Sequence, residues 1–157
     1  MQQLKDTPAQ IIQALLTTGT SALFSLPALN QAWPLYVSSM PDGTGSVDEC
    51  GVTEDTSGVQ HGRLLASGKT LESFGVQIRT RSSGSAYPDG MNRLNAVATQ
   101  LDSTKSRYVT VTTAAGGSGN SYKIDTIRRT SPVLSLGEDQ KRRGLFSLNL
   151  LVTLEGI

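Results

Sequence analysis

Residues 62–81, GRLLASGKTLESFGVQIRTR, decide the fold. Gly68-Lys69-Thr70 is a near copy of the end of a nucleotide-binding loop, G-x-x-x-x-G-K-[ST]. That pattern needs its first glycine at position 63, where the chain has Arg63, and Gly62 stands one residue early. A phosphate cradle also needs a helix opening at the lysine, so that backbone N–H groups point at the phosphates. The segment after Lys69 ends instead in alternation of period two. Val76, Ile78 and Thr80 point one way, and Gln77, Arg79 and Arg81 the other. The stretch predicts a β-hairpin with GRLLAS and TLESFGVQIRTR as its arms, Ser67-Gly68 in the turn and Lys69 in water.

Outward from this hairpin the chain alternates between helices and runs of strands. Residues 8–17 predict a helix capped by Asp6 or Thr7, with Pro8 in the first turn, Ile11, Ile12, Leu15 and Leu16 on one face, and Gly19 at its end. SALFSLPALN reads as a turn or a second short helix. Residues 34–40 predict a strand. Residues 48–55 predict an irregular or edge strand that Gly58 breaks, leaving His61 in a loop. Residues 87–102 predict the longest helix, with Met91, Leu94, Val97, Ala98 and Leu101 as its buried stripe. Strands follow at 107–113, at 121–129 and, after a turn-rich connection, at 145–155. In the last of these, Phe146, Leu148, Leu150, Val152 and Leu154 face the core, while Ser147, Asn149 and Thr153 face away. The order predicts one α+β domain over residues 1–157. Its sheet is mixed and mostly antiparallel, with two main helices packed on one face.

A chain of 157 residues is long enough to bury a core. Hydrophobic residues at 37% and charged residues at 17% suit a globular, loop-rich protein. A net charge of +1 gives no general pull toward nucleic acid or membrane. The single cysteine, Cys50, rules out an internal disulfide and a cysteine-cluster zinc site, and fits a reducing compartment. The N-terminus lacks an apolar signal segment, and LFSLNLLVTL is too short for a membrane helix. The expectation is a soluble protein assembled in the cytoplasm.

Catalytic equipment is sparse. His61 is the sole histidine and no nucleophile elbow accompanies it. Asp48 and Glu49 beside Cys50 oppose thiolate formation. Asp48, Glu49, Glu54 and Asp55 lack calcium-loop spacing and read as a solvated acidic segment. No cofactor or metal is expected. The basic residues Arg79, Arg81, Arg128, Arg129, Lys141, Arg142 and Arg143 lie on or beside strands. They form a solvated rim, pair across subunits of a symmetric ring with the acids at 48–55, or touch a DNA backbone.

Several segments, in order, resemble the tail terminator and minor capsid (tail completion) proteins of long-tailed bacteriophages. They are the Ile11–Leu16 face, GVTEDTSGVQHGRLLASGK at 51–69, Gly75–Arg81, Tyr87–Leu101 and Arg143–Val152. The resemblance implies a ring, typically of six subunits, at the head-proximal end of the tail tube. Such a ring stops tube growth, docks the head connector and lets DNA pass through its lumen without reading sequence. It implies no catalytic residues, no membrane contact and a place in the virion near the neck. Its partners are other copies of itself, the tail tube protein and the connector protein. Loops at 41–47, 56–62 and 114–120 are expected to order on such contacts. A head-completion or connector protein and a tail-tube subunit are the nearest alternatives, and a small hydrolase is a distant one.

Overall fold

The structure, a computed structural model, describes residues 4–19, 22–104, 107–112 and 119–156. Helix α1 spans Pro8–Thr17, as its cap signals dictate. The Thr7 hydroxyl accepts from the Gln10 N–H at 3.3 Å, and the Thr7 N–H donates to Gln10 Oε1 at 2.8 Å. This reciprocal pair satisfies two N–H groups at the helix start. A short 3-10 turn at Pro27–Leu29 leads to β1 (Leu35–Val37). Then come β2 (Cys50–Arg63), β3 (Thr70–Ser82), α2 (Pro88–Ser103), β4 (Arg107–Val111), β5 (Asn120–Arg129), β6 (Leu134–Glu138) and β7 (Gly144–Gly156).

All seven strands join one sheet in the order β1-β2-β3-β7-β5-β4, with β6 also on β7. Only β1 and β2 run parallel; the other pairs are antiparallel. This is the α+β architecture expected. The alternation read in β3 and β7 sets the two faces. Val76 pairs with Leu150, Ile78 with Leu148 and Thr80 with Phe146, all buried, and both helices pack on this side. Gln77, Arg79 and Arg81 pair with Asn149, Ser147 and Leu145 on the opposite face.

Several expectations are corrected. The segment at 48–55 opens a longer strand: β2 is irregular and lacks an outer partner past Thr53 among the described strands, as an edge strand does, but it runs through Gly58 to Arg63, and His61 lies within it. Gly58 does not break the strand, because the ladder absorbs it in a bulge between Thr56 and Val59. Across that bulge Gly75 sits against β2, where a Cβ would fall 2.5 Å from the Ser57 carbonyl oxygen. Residues 64–67 lie outside the strands, with 65–67 in the turn. Met91 is 39% exposed, and Gly90 takes its buried place. There a side chain would strike the Phe146 ring at 2.8 Å, so glycine lets α2 lie close on β7. The connection before β7 contains β6, whose one short alternation, Leu134 and Leu136, lies among turn residues and stays exposed. Ser147 lies on the outer face as expected, yet it is buried. The strand at 107–113 stops at Val111, and residues 113–118, including most of the expected loop at 114–120, lie outside the described residues.

Candidate functional site

Arg143 stands just before β7 and is almost fully buried. Its guanidinium meets Asp139 at 2.6 Å, Asp42 at 2.7 Å and Asp48 at 3.2 Å. Lys141 adds a bond to Asp42 at 2.8 Å. The tight turn between β6 and β7 builds this node: Asp139 Oδ1 accepts from the N–H groups of Lys141 and Arg143 at 2.9 and 3.0 Å. Bonds from Lys141 and then Arg143 hold the Asp42 carboxyl at about 2. Burial alone would raise Asp139, but the Arg143 side chain and the turn's N–H groups outweigh it and set it below the ordinary range. The three acids in turn raise the pKa of Arg143, with Asp139 the largest cause.

Arg81 is buried beside this node and donates to three carbonyls: Val47 at 2.6 Å, Pro41 at 3.0 Å and Asp48 at 3.0 Å. Together Arg81 and Arg143 pin residues 41–48 over one end of the outer sheet face. The expected contact loop at 41–47 is therefore stapled by the side chains of Arg81 in β3 and Arg143 beside β7. The planar guanidinium suits this task, because its donors fan out to several acceptors at once.

The other charged candidates divide between internal partners and solvent. Arg79 reaches Glu54 across the β2–β3 ladder at 2.6 Å. A basic residue of β3 and an acid of the 48–55 segment thus pair within one chain. Asp55 turns to the core face, where its Oδ1 accepts from the Ala9 N–H at 2.9 Å at the start of α1. Arg129 grips Asp102 at the end of α2 through two bonds of 3.0 and 2.7 Å. Glu49 is half-buried and faces Arg93, whose pKa burial lowers. Arg128 and Arg142 are exposed and form no ion pair among the described residues. Sequence reading missed Asp42, Asp139 and Asp102, which carry no local pattern and become partners only through the fold.

Asp55→Ala removes the tie from β2 to the first turn of α1. A lost N-terminal acceptor costs about 1 kcal/mol. Chemical denaturation is expected to show that loss, with α1 fraying first in amide exchange.

The near-copy of a nucleotide-binding loop resolves into geometry. Gly68 and Lys69 close the turn, the Leu64 N–H donating to the Lys69 carbonyl at 2.8 Å. Lys69 is half-exposed, 3.9 Å from Glu155, and leads into strand β3 rather than a helix. Lys69→Ala is expected to shift stability by no more than about 0.5 kcal/mol. It is also expected to leave no nucleotide hydrolysis to lose; a phosphate-release assay on both proteins checks this. Cys50 is buried, and burial raises its thiol pKa, which disfavours the reactive thiolate. His61 Nε2 lies 2.9 Å from the Ser73 hydroxyl. Among the described residues no group of three or more acids, histidines or cysteines is placed to hold a metal ion.

What remains without an internal partner is backbone edge and an arm. β1 covers only Gly51–Thr53 of β2, and β7 covers β3 only from Phe74 onward. The β2–β3 hairpin therefore projects beyond the sheet, its outer residues exposed from Asp55 to Ser67. At the far end of the sheet, β4 pairs with β5 alone among the described strands. No described helix is long and apolar enough to cross a membrane. Comparison with protein-family models finds no match, and neither does comparison with curated proteins.

Proposed function

We propose that the chain is a virion structural protein of a long-tailed bacteriophage. Copies of it form a ring, typically of six, at the head-proximal end of the tail tube. The ring ends tube polymerisation and joins the tail to the head connector, with DNA passing through its lumen. The observation that carries this reading is the projecting β2–β3 arm, where β2 has no described strand on its outer side past Thr53, together with the outer edge of β4 at the other end of the sheet, which no described strand covers. An unpaired edge is a template for another chain. Contacts between two different edges are head-to-tail, and such contacts give a ring where the rotation between neighbours closes. The ordered resemblance of the helix, hairpin and final-strand segments supplies the tail-terminator identity. Most of the charged candidates spend their charge inside the protomer, so assembly on this reading rests on backbone edges and the arm. Arg128 and Arg142 remain as charged contributors.

Electron microscopy of virions carrying a labelled copy tests the placement. Density at the neck supports it. Density along the tube favours a tail-tube subunit, and density at the distal tip contradicts it.

A further inference from the structure

The arm carries an apolar tip beside an acidic cleft. The tip is a tied turn: the Gly68 N–H donates to the Leu64 carbonyl at 2.7 Å and Arg63 Nε to the Gly68 carbonyl at 3.1 Å. Its leucines nevertheless face water, Leu65 93% exposed and Leu64 48%. A preformed turn loses little freedom on docking, which favours its use as a contact.

The cleft opens where β3 and β7 part. Their pairing ends at Phe74 and Val152, and the Ser73 and Thr153 hydroxyls, 3.3 Å apart, close the apex. Beyond it lies a cleft of about 590 Å³ between the arm and the end of β7. Leu4, Phe74 and Leu154 give it an apolar wall, and three acids there outnumber one base: Glu155 lies 3.9 Å from Lys69, Asp125 pairs with Lys123 at 2.8 Å, and Glu72 has no ion-pair partner among the described residues. Its size falls within the roughly 300–1,000 Å³ of pockets that enclose compact ligands. The turn from Arg63 to Lys69 carries two bases and no acid; Lys69 lines the chain's own cleft, which leaves Arg63 as the base the tip offers to another surface. Ser67, Gly68 and Lys69 of the turn form one side of the chain's own cleft, whereas Leu64 and Leu65 lie outside it.

We propose that the tip of one copy seats in the cleft of a second copy. Leu64 and Leu65 pack on the apolar wall, and Arg63 faces the acids. The charge match between the two surfaces, both present on this chain, selects a second copy as the occupant. Two leucines bury far less than the roughly 1,200 Å² of a standard interface. The docked tip therefore adds to an edge contact of the kind in the ring reading, on which this proposal rests for self-association.

A disulfide trap tests it. Chains carrying Leu65→Cys are mixed with chains carrying Glu155→Cys and oxidised. The control mixture pairs Leu65→Cys with Ser85→Cys, an exposed site at the opposite end of β3. Docking raises the local concentration of the two thiols, so the Glu155 mixture is expected to give roughly tenfold more mixed disulfide than the control. Equal yields overturn the proposal. Light scattering on the same samples separates the two readings. A ring without mixed disulfide overturns docking and leaves the ring standing. Mixed disulfide in a two-subunit particle supports docking and contradicts the ring. A monomer without mixed disulfide overturns docking.

Discussion

Arg143→Met is expected to lower stability by about 3 kcal/mol at neutral pH. Breaking a buried ion pair costs about 3–5 kcal/mol, and the lower end applies because water still reaches two of the acids. Asp42 and Asp48 keep more than half of their side-chain surface exposed, at 56% and 59%, whereas Arg143 keeps 5%. For a domain of this size the loss corresponds to a fall of roughly 6–12 °C in Tm. Methionine fills most of the volume, so the effect reports Asp139 and Asp48 left without their cation and Asp42 left with Lys141 alone. The pH dependence identifies the cause. Carboxyls whose folded pKa is depressed add stability above their unfolded value, near about 3.9, and lose it as pH falls through the folded value. With Asp42 held at about 2 and Asp139 also lowered, the native protein loses this contribution as pH falls from about 4 to about 2. The stability gap between native protein and variant therefore narrows over that window. A gap that stays constant with pH would assign the loss to packing rather than to the charges.

Gly75→Val is the second large expected effect. A Cβ at this position would lie 2.5 Å from the Ser57 carbonyl oxygen and 3.0 Å from its carbon, and it would also strike the Thr56 hydroxyl. Two of these atoms are backbone, so the strands themselves must separate. Overpacking of this kind costs about 1–3 kcal/mol, and valine belongs at the upper end. The damage is expected to concentrate in the arm, with amide protection falling at 56–63 and 70–73 before it falls in the sheet core. Gly43→Ala is the control: nothing lies within 4 Å of its added Cβ. Its change is expected to stay within about 0.5 kcal/mol in urea unfolding.

The legible parts of the fold are those where one segment carries its own instruction. The capping residues mark α1. Period-two alternation marks both faces of β3 and of β7, and the stripe Leu94, Val97, Ala98 and Leu101 marks the buried side of α2. The misreadings come from glycine and exposure. Gly58 looks like a strand breaker in sequence, but in the sheet its small size permits the bulge that carries β2 onward. Gly90 offers no side chain to a helical stripe, so Met91 stands in its place in the sequence pattern. β6 carries only the short alternation of Leu134 and Leu136 between turn residues, and the fold leaves both exposed, so its pattern is too brief to mark a strand. Alternation places Arg79 and Arg81 correctly on the outer face, but it cannot show that a loop from more than thirty residues earlier covers Arg81. The Arg143 node joins residues up to 101 positions apart, and no local signal links them. Internal pairing and pairing across subunits use the same residue types, so sequence alone does not tell one from the other.

Self-assembly into a ring on the tail tube is tested most directly by the mass of the particle that the purified chain forms. Light scattering and negative-stain microscopy measure it, for the chain alone and on preassembled tail tubes. The expected result is a closed ring, about six copies, capping one end of each tube and stopping its growth. A chain that stays monomeric both alone and with tubes, while the tubes continue to lengthen, would contradict the ring.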